Sequence, residues 1–428
     1  MSIAEHSPVR LLEIELSESL PDLFAPSSHH AQTHILVRLH TRPIGRLRLG
    51  NSSWELRPSN YSRTIWTELA ENIQAHLRED GLPAIRDLDE AGIQTETGLP
   101  RCLSARQQFL SCAPLASVVV PTRNRPRRIS TCLESLLRQQ YPRYEIIVVD
   151  SAPSTSETHD LIRDTYAADP RVDYIRTDRA GASRARNLGL LRAHGDIVAF
   201  LDDDVVVDPH WLTEMVRGFG AGPCVACVTG AVLPAKLDTS AQVWFEEFGG
   251  FFKGFDSQLF DMGDNRRSNA LYPYLPGAFG TGASMAFRTM VLRAAGGFDE
   301  TLGPSTPTRG GEDLAAFLQL VTRGYQLVYQ ATAISYHLHR SEYSDLRSTI
   351  YSYGIGLSAL MVRHLVNNPR EVRQVLRRLP GGLQYLLSPH SKKNAGKTRG
   401  YPRELIALEL GGLFVGPFAY LLSRLQNA

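Results

Sequence analysis

The chain has 428 residues, 43% of them hydrophobic, and sets 46 Lys and Arg against 44 Asp and Glu for a formal charge of +2. That is ample apolar material for two or three globular domains, and the near balance of charge excludes a wholesale polyelectrolyte partner such as nucleic acid. Five cysteines, at 102, 112, 132, 224 and 227, are too few and too unevenly spaced for a disulfide framework and point to a reducing compartment.

The opening MSIAEHSPVRLLEIELSESL puts acidic and polar residues where a secretory signal needs a basic start and an unbroken apolar core, so the expected location is cytoplasmic. No stretch approaches the ~20 apolar residues of a spanning helix, so any membrane contact is expected to be peripheral, at the inner face. Residues 1–113 read as a separate small α+β module. Apolar positions alternate in HILVRLHTRPIGRLRL, with PIG as the hairpin turn, and TIWTELAENIQAHL has a helical pattern. DGLPAIRDLDEAGIQTETGLP then reads as a connecting segment. The module displays a fold but no chemistry.

From Ser117 short apolar runs alternate with helical stretches: SVVVP, RRISTCLESLLRQQ, EIIVVDS, SETHDLIRDTYAA, VDYIRT, ASRARNLGLLRAH, DIVAFL. This predicts an α/β domain over 114–345, a Rossmann-like, mostly parallel sheet with helices on both faces and its ligands at the carboxyl ends of the strands. Those ends carry Thr122 and Arg123, Asp150, and Asp202 to Asp204. CVAC reads as buried strand cysteines in preference to a metal or redox centre. Beyond Pro234 the chain is irregular and rich in aromatics and glycine, which suits either aromatic packing or a second-substrate wall.

In an extended segment Asp202 and Asp204 project to one face and Asp203 to the other. Unpaired like charges there force a pKa upward unless a cation sits between them, and oxygen donors suit Mg²⁺ or Mn²⁺. Asp208 before Pro209 already supplies the cap of the following helix, which leaves the triplet without a structural role. Arg184 and Arg186, in the GASRARN turn, are placed to meet phosphate oxygens, and Asn187 is a positioning residue. Glu312 and Asp313 open an amphipathic helix behind Gly310 and Gly311, where backbone can approach a ligand and a carboxylate can take a proton from a hydroxyl. His337 and His339 share a face if extended, either as metal ligands or as polar residues at a strand end.

The array VVVPTRN, IIVVD, GASRARNLGLLRAHGDIVAFLDDD, GTGASMAFR, GGFDE and GGEDLAAFLQLVTRGYQLVYQ resembles family 2 glycosyltransferases, across roughly residues 115–345. The resemblance implies the A-type glycosyltransferase fold and a metal-dependent transfer from a nucleotide-diphosphate sugar to a hydroxyl, inverting at the anomeric carbon, in glycan biosynthesis. It implies donor contacts at Pro121, Arg123, Asp150, Arg184, Arg186, Asp202 and Asp203, with Mn²⁺ or Mg²⁺ held by Asp202 and Asp204 and by His337 and His339. It implies Asp313 as base with Glu312 beside it, and acceptor contacts at Gly282, Ala283, Gly311 and Arg340, the last also a phosphate contact. IIVVDSAPSTSE departs from the Asn and Gly that follow the Asp in many relatives, which leaves the nucleotide base open.

Residues 346–428 are expected to form a helical, basic extension. Between Arg370 and Arg403 nine Lys or Arg face the single acid Glu371, flanked by the apolar IYSYGIGLSALMV and LGGLFVGPFAYLL, both too short to span. A solvated basic loop and a peripheral membrane contact both fit, the second with a lipid-linked acceptor beside the glycan and small-molecule alternatives. Two other functions stay open: a nucleotidyl or phosphoryl transferase, despite the absence of GxxxxGK[ST], and a non-catalytic nucleotide-sugar-binding protein.

Overall fold

The structure is a computed structural model and describes residues 7–23, 30, 32–50, 56–94, 98–388, 390–391, 393–398 and 400–427. Residues 1–6 of the opening segment, 95–97 of the connecting segment, and Lys392 and Arg399 of the basic tail lie outside the described residues. The chain divides into two compact units, Ser2–Ala113 with Pro234–Val243, and Pro114–Leu233 with Trp244–Ala428.

In the first unit β1 (Val9–Glu15) runs parallel to β2 (Gln32–Leu39), which pairs antiparallel with β3 (Arg42–Leu49). The hairpin turns at His40 and Thr41, whose φ of 53° and 67° are the left-handed pair of a tight two-residue loop. This corrects the expected turn at Pro43–Gly45: those residues lie inside β3, opposite the register shift at Val37/Arg38. Gly45 is needed there because a Cβ would come within 2.5 Å of a Leu69 methyl. Leu69 belongs to the helix Pro58–Asp80, which buries Tyr61, Ile65, Leu69, Ile73 and Leu77 at four-residue spacing and ends on left-handed Gly81. A second helix, Arg101–Ser111, was not expected from the sequence.

The second unit holds a nine-stranded sheet. Its strands are β4 (Ala116–Thr122), β5 (Tyr144–Ser151), β6 (Val172–Thr177), β7 (Ile197–Leu201), β8 (Val205–Val207), β9 (Val225–Pro234), β10 (Gln258–Phe260), β11 (Ser284–Arg288) and β12 (Gln326–His337). The order is β10-β12-β9-β11-β7-β4-β5-β6, with β8 against β12. The half β7-β4-β5-β6 is parallel, as the alternating pattern predicts. The other half is mixed: β11 is antiparallel to β7 and β9, and β8 and β10 are antiparallel to β12. The aromatic stretch expected to be irregular thus supplies β10 and leads into β11. Behind the strand ends Phe200, Phe287, Phe298 and Phe317 are fully buried, and the Phe200 and Phe298 rings meet edge to face at 5.0 Å. Of the CVAC pair, Cys227 is buried in β9, whereas Cys224 precedes the strand and is exposed.

The helices Tyr343–Asn367, Val372–Leu387 and Arg403–Asn427 are grouped with this unit. The first and last cross at glycine: a Cβ on Gly354 would lie 2.2 Å from the Glu409 carbonyl oxygen, and one on Gly412 2.2 Å from that of Tyr351. Arg403–Asn427 is also long and apolar enough to cross a membrane by length and composition, which corrects the reading that no stretch comes near. The basic segment is not simply solvated. Lys393 pairs with Glu409, and the Lys393 and Lys397 ammonium groups sit 4.9 and 5.6 Å from the Phe248 ring centre.

Candidate active site

The carboxyl ends of β4, β5 and β7 form one acidic rim. At the end of β5, Asp150 is fully buried and accepts the Tyr174 hydroxyl at 2.9 Å, while its Oδ1 has no partner among the described residues. Burial, against Tyr174, Arg176 and His159, pushes its carboxyl up. Pro121 lies within β4 opposite Val149, and the Arg123 Nε–H donates to the Ala152 carbonyl at 3.2 Å, joining the ends of β4 and β5.

The triplet is a turn and not the extended segment expected, because β7 stops at Leu201 and the Val205 N–H bonds back to the Asp202 carbonyl at 3.2 Å. Each carboxylate meets a different set of cations, with Arg125 shared between Asp203 and Asp204. Asp203 is buried against the Thr122 hydroxyl at 2.7 Å and Arg125 at 2.9 Å, and burial raises its carboxyl. Asp204 meets Arg128 at 2.9 Å, His337 Nε2 at 3.3 Å, Arg125 at 3.6 Å and Arg340 at 3.9 Å. Burial works upward on Asp204, but the His337 hydrogen bond and these charges overcome it and hold the carboxyl well below the usual range. Asp202 meets Arg186 at 2.9 Å and is 34% exposed, so one side stays open. Burial, then the charges of Asp204 and Asp203, outweighs Arg186 and His337 and pushes Asp202 up to about 6.

Arg186 carries the acidity inward. It lies on the helix Ala182–Arg192, is buried over the Phe298 ring at 5.7 Å, and bridges Asp202 to Glu312 Oε1 at 2.7 Å. Asn187 beside it exchanges two bonds with the Phe298 backbone, at 2.9 and 2.8 Å, as a positioning residue should. Glu312 and Asp313 open the helix Glu312–Thr322, with Phe317, Leu318 and Val321 buried. Asp313 accepts the Gly282 N–H at 2.6 Å and the Leu314 N–H at 2.8 Å. Burial, then the Glu312 charge, pushes its carboxyl up to about 6 against Arg186 and these two donors.

The expected binding residues divide. Gly282 acts as a backbone donor to Asp313, and a Cβ there would meet Asp313 Oδ2 at 2.7 Å. Ala283 is buried, with its carbonyl 3.4 Å from the Asp202 N–H. Gly311 has φ 92° and packs on Gly356, whose carbonyl oxygen would lie 2.7 Å from a Cβ. Arg184 pairs with Glu300 at 2.7 Å and donates to Asn427 Oδ1 at 2.6 Å. His337 reaches Asp204 at 3.3 Å. Beside it, His339 Nδ1 lies 2.8 Å from that of His337 and its Nε2 3.0 Å from Glu246, an arrangement that can orient His337.

Four residues of the site were missed by the sequence reading. Arg125 and Arg128 follow β4 in TRNRPRR, where the arginine run was the available signal. Glu246 and Tyr353 gave none. Tyr353, 38% exposed, comes from the helix Tyr343–Asn367; burial, then the charges of Asp313, Asp202 and Asp204, pushes its phenol up.

In chemistry the donor set suits a divalent cation: Asp202 and Asp204 offer carboxylate oxygens and His337 an imidazole nitrogen, although the three do not close to within 4.8 Å of one another. An Asp202 carboxyl raised by burial and then by neighbouring acids is what a cation would relieve.

Known proteins similar to this chain are glycosyltransferases by name. This chain is 29% identical over 252 residues to the pre-mycofactocin glycosyltransferase of Mycobacterium tuberculosis, covering 58% of this chain and 48% of that protein. It is 27% identical over 190 residues to the glucosyl-dolichyl phosphate glucuronosyltransferase of Haloferax volcanii, covering 44% and 56%. The chain thus spans about half the length of these relatives. A solved mannosyltransferase from Pyrobaculum calidifontis, in complex with GDP-Man and Mn²⁺, is similar with TM-score 0.46 and 16% identity over 73% of this chain and 95% of that one. The strands and turns that carry the acidic rim lie within residues 117–291, the stretch that matches the glycosyl transferase family 2 model.

Proposed function

We propose that this chain transfers a sugar from a nucleotide-diphosphate sugar to a hydroxyl acceptor, in one displacement with inversion. The observation that carries this is the charge chain Asp202–Arg186–Glu312–Asp313, centred on buried Arg186 and Glu312, which links an acidic rim suited to a cation to a carboxylate suited to a proton. Asp202 and Asp204, with His337, would hold the divalent cation, Mn²⁺ or Mg²⁺. When bound, such an ion neutralises the charge that develops on the departing diphosphate. Arg125, Arg128 and Arg340 are 38%, 31% and 37% exposed, so each has a free side for phosphate oxygens. The partnerless Oδ1 of Asp150 supports a nucleoside contact, since a buried acceptor without a donor is costly. Asp313, held by two backbone N–H groups, takes the acceptor proton as the anomeric carbon gains oxocarbenium character.

The acceptor in this reading is lipid-linked, and the enzyme rests on the cytoplasmic membrane face. Its support is the exposed row Phe414, Phe418, Leu421 and Leu425, at 77%, 65%, 54% and 77%, near the basic segment. The name of the Haloferax volcanii relative, which specifies a dolichyl phosphate carrier, adds to it. The five cysteines are all free, which agrees with a reducing compartment.

A thermal-shift screen of nucleoside diphosphates and nucleotide sugars, with and without Mn²⁺, tests the donor side, followed by product analysis with the donor found. Metal-dependent stabilisation by one nucleotide and release of its diphosphate are expected. Release of pyrophosphate would instead establish nucleotidyl transfer, and binding without turnover a non-catalytic binder.

A further inference from the structure

The N-terminal unit brings four chemically loaded side chains to one point. His40 lies in the turn between β2 and β3, His76 and Asp80 lie one turn apart on the helix Pro58–Asp80, and Cys102 is in the first turn of the helix Arg101–Ser111. All are buried, with exposures of 3%, 6%, 4% and 5%. One ligand atom from each lies within 4.8 Å of the others, and among the described residues no other group of three or more His, Cys, Asp and Glu converges in this way.

Hydrogen bonding accounts poorly for the arrangement. His40 Nδ1 is 2.7 Å from Asp80 Oδ2, His76 Nε2 is 3.1 Å from the same oxygen, and the two nitrogens are 3.1 Å apart. A ring N–H points along one line, so a proton on either nitrogen cannot serve both edges of this triangle. Cys102 Sγ adds a fourth heteroatom, 3.0 Å from that oxygen. Crowding of this kind is what ligands around a small ion look like. A tetrahedron with metal–nitrogen bonds of about 2.0–2.1 Å has edges of roughly 3.3–3.4 Å, against separations of 2.7 to 3.1 Å here, so the side chains would need to spread by about 0.2 to 0.7 Å around an ion. The second Asp80 oxygen accepts the Cys102 N–H at 2.8 Å, which fixes the carboxylate from behind. The turn itself is unusual, since a two-residue hairpin loop with both φ positive ordinarily takes Asn-Gly and here holds His40 and β-branched Thr41. An imidazole required at that position explains the choice.

We propose that His40, His76, Asp80 and Cys102 bind one Zn²⁺ ion as a closed, four-ligand structural site. A thiolate with two imidazoles and a carboxylate suits zinc in tetrahedral geometry, and four protein ligands leave no open position for a substrate. The ion clamps the β2–β3 turn to two helices that are otherwise joined by a long segment. The cluster is separate from the cation of the acidic rim, and the two can fail independently.

The test is elemental analysis of the full, untagged chain purified without added metal from zinc-supplemented cultures. One zinc per chain is expected, retained when Asp202→Ala and Asp204→Ala are combined and lost in Cys102→Ser and His76→Ala. Cobalt exchanged into the wild-type chain should show a thiolate-to-cobalt charge-transfer band. Cys102 in the wild-type chain should resist a thiol reagent until zinc is chelated, a readout that survives if the variants do not fold. Zinc below about a tenth of the chain concentration, cobalt without that band, or labelling of Cys102 unaffected by the chelator overturns the proposal.

Discussion

Asp313 shows how one side chain can be tuned by what surrounds it. Burial and the Glu312 charge lift its carboxyl to about 6, above the ~3.9 of a free aspartate. In the proposed role of base Asp313 must be ionised, so turnover should rise through about pH 6 and level off, falling tenfold per unit below it; kcat against pH at saturating cation measures this. Cation saturation matters because Asp202 also lies at about 6 without it. For stability the sign is reversed. A carboxyl raised in the folded state contributes stability below about pH 4, which is lost as pH rises through about 6. Asp313→Asn should keep donor binding but lower kcat by at least ~10²-fold, the lower end of general-base contributions. Gly282→Ala tests the positioning alone: its Cβ would sit 2.7 Å from Asp313 Oδ2, and a carboxylate displaced by about 1 Å loses on the order of 10²-fold in kcat. Asp150, the Asp202–Asp204 triplet and the Glu312–Asp313 pair were legible because carboxylates at strand ends and after glycines announce chemistry. The partners of His339 and Arg184 were not legible because Glu246 and Asn427 lie 93 and 243 residues away.

At the scale of elements, the helix Ala182–Arg192 matters for the residue it carries into the core. Arg186 is 5% exposed and stands between Asp202 and Glu312, which would otherwise be two acids in a poorly solvated site. Arg186→Met keeps the volume but removes the charge, and breaking a buried ion pair from one side costs about 3–5 kcal/mol. Urea unfolding should show that loss as a lower midpoint with an unchanged slope, and low pH should narrow the gap as Asp202 protonates. Arg186→Lys should recover only part, since an ammonium cannot span both carboxylates as a fork does. The parallel strands were readable because strands buried on both faces, such as Val118–Val120, appear as unbroken β-branched runs. β11 and β10 were obscured by Gly-rich and aromatic surroundings, whose packing is non-local. The hairpin was misread for a related reason. Pro and Gly at 43 and 45 are the usual turn residues, whereas the loop fell on His40 and Thr41.

For the whole molecule the decisive feature is the helix Arg403–Asn427, apolar enough to enter a bilayer yet packed on Tyr343–Asn367. At Gly416 a Cβ would lie 2.0 Å from Ser358 Oγ and 2.4 Å from the Ile355 carbonyl, so this contact is backbone-close and built for helix against helix. Glu409 and Ser423 are buried on the same helix, and both would lose their partners, Lys393 and the Thr301 carbonyl, if it left the unit. The opposite face is the apolar row of Phe414, Phe418, Leu421 and Leu425. A helix that packs small and polar groups, Glu409 and Ser423 among them, on its protein side and is apolar on its outer side is proposed to lie in a membrane surface and not across it. Burying each Phe is worth about 1.5–3 kcal/mol, and each nearby Lys or Arg adds about 1 kcal/mol on anionic lipid. Phe414→Glu combined with Phe418→Glu should therefore weaken co-sedimentation with phosphatidylglycerol vesicles by at least ~10²-fold. Donor binding in solution should be unchanged, because neither residue belongs to the acidic rim. Raised salt should weaken the wild-type chain only partly, and alkaline carbonate should strip it from membranes; retention after carbonate would show that the helix crosses the bilayer instead.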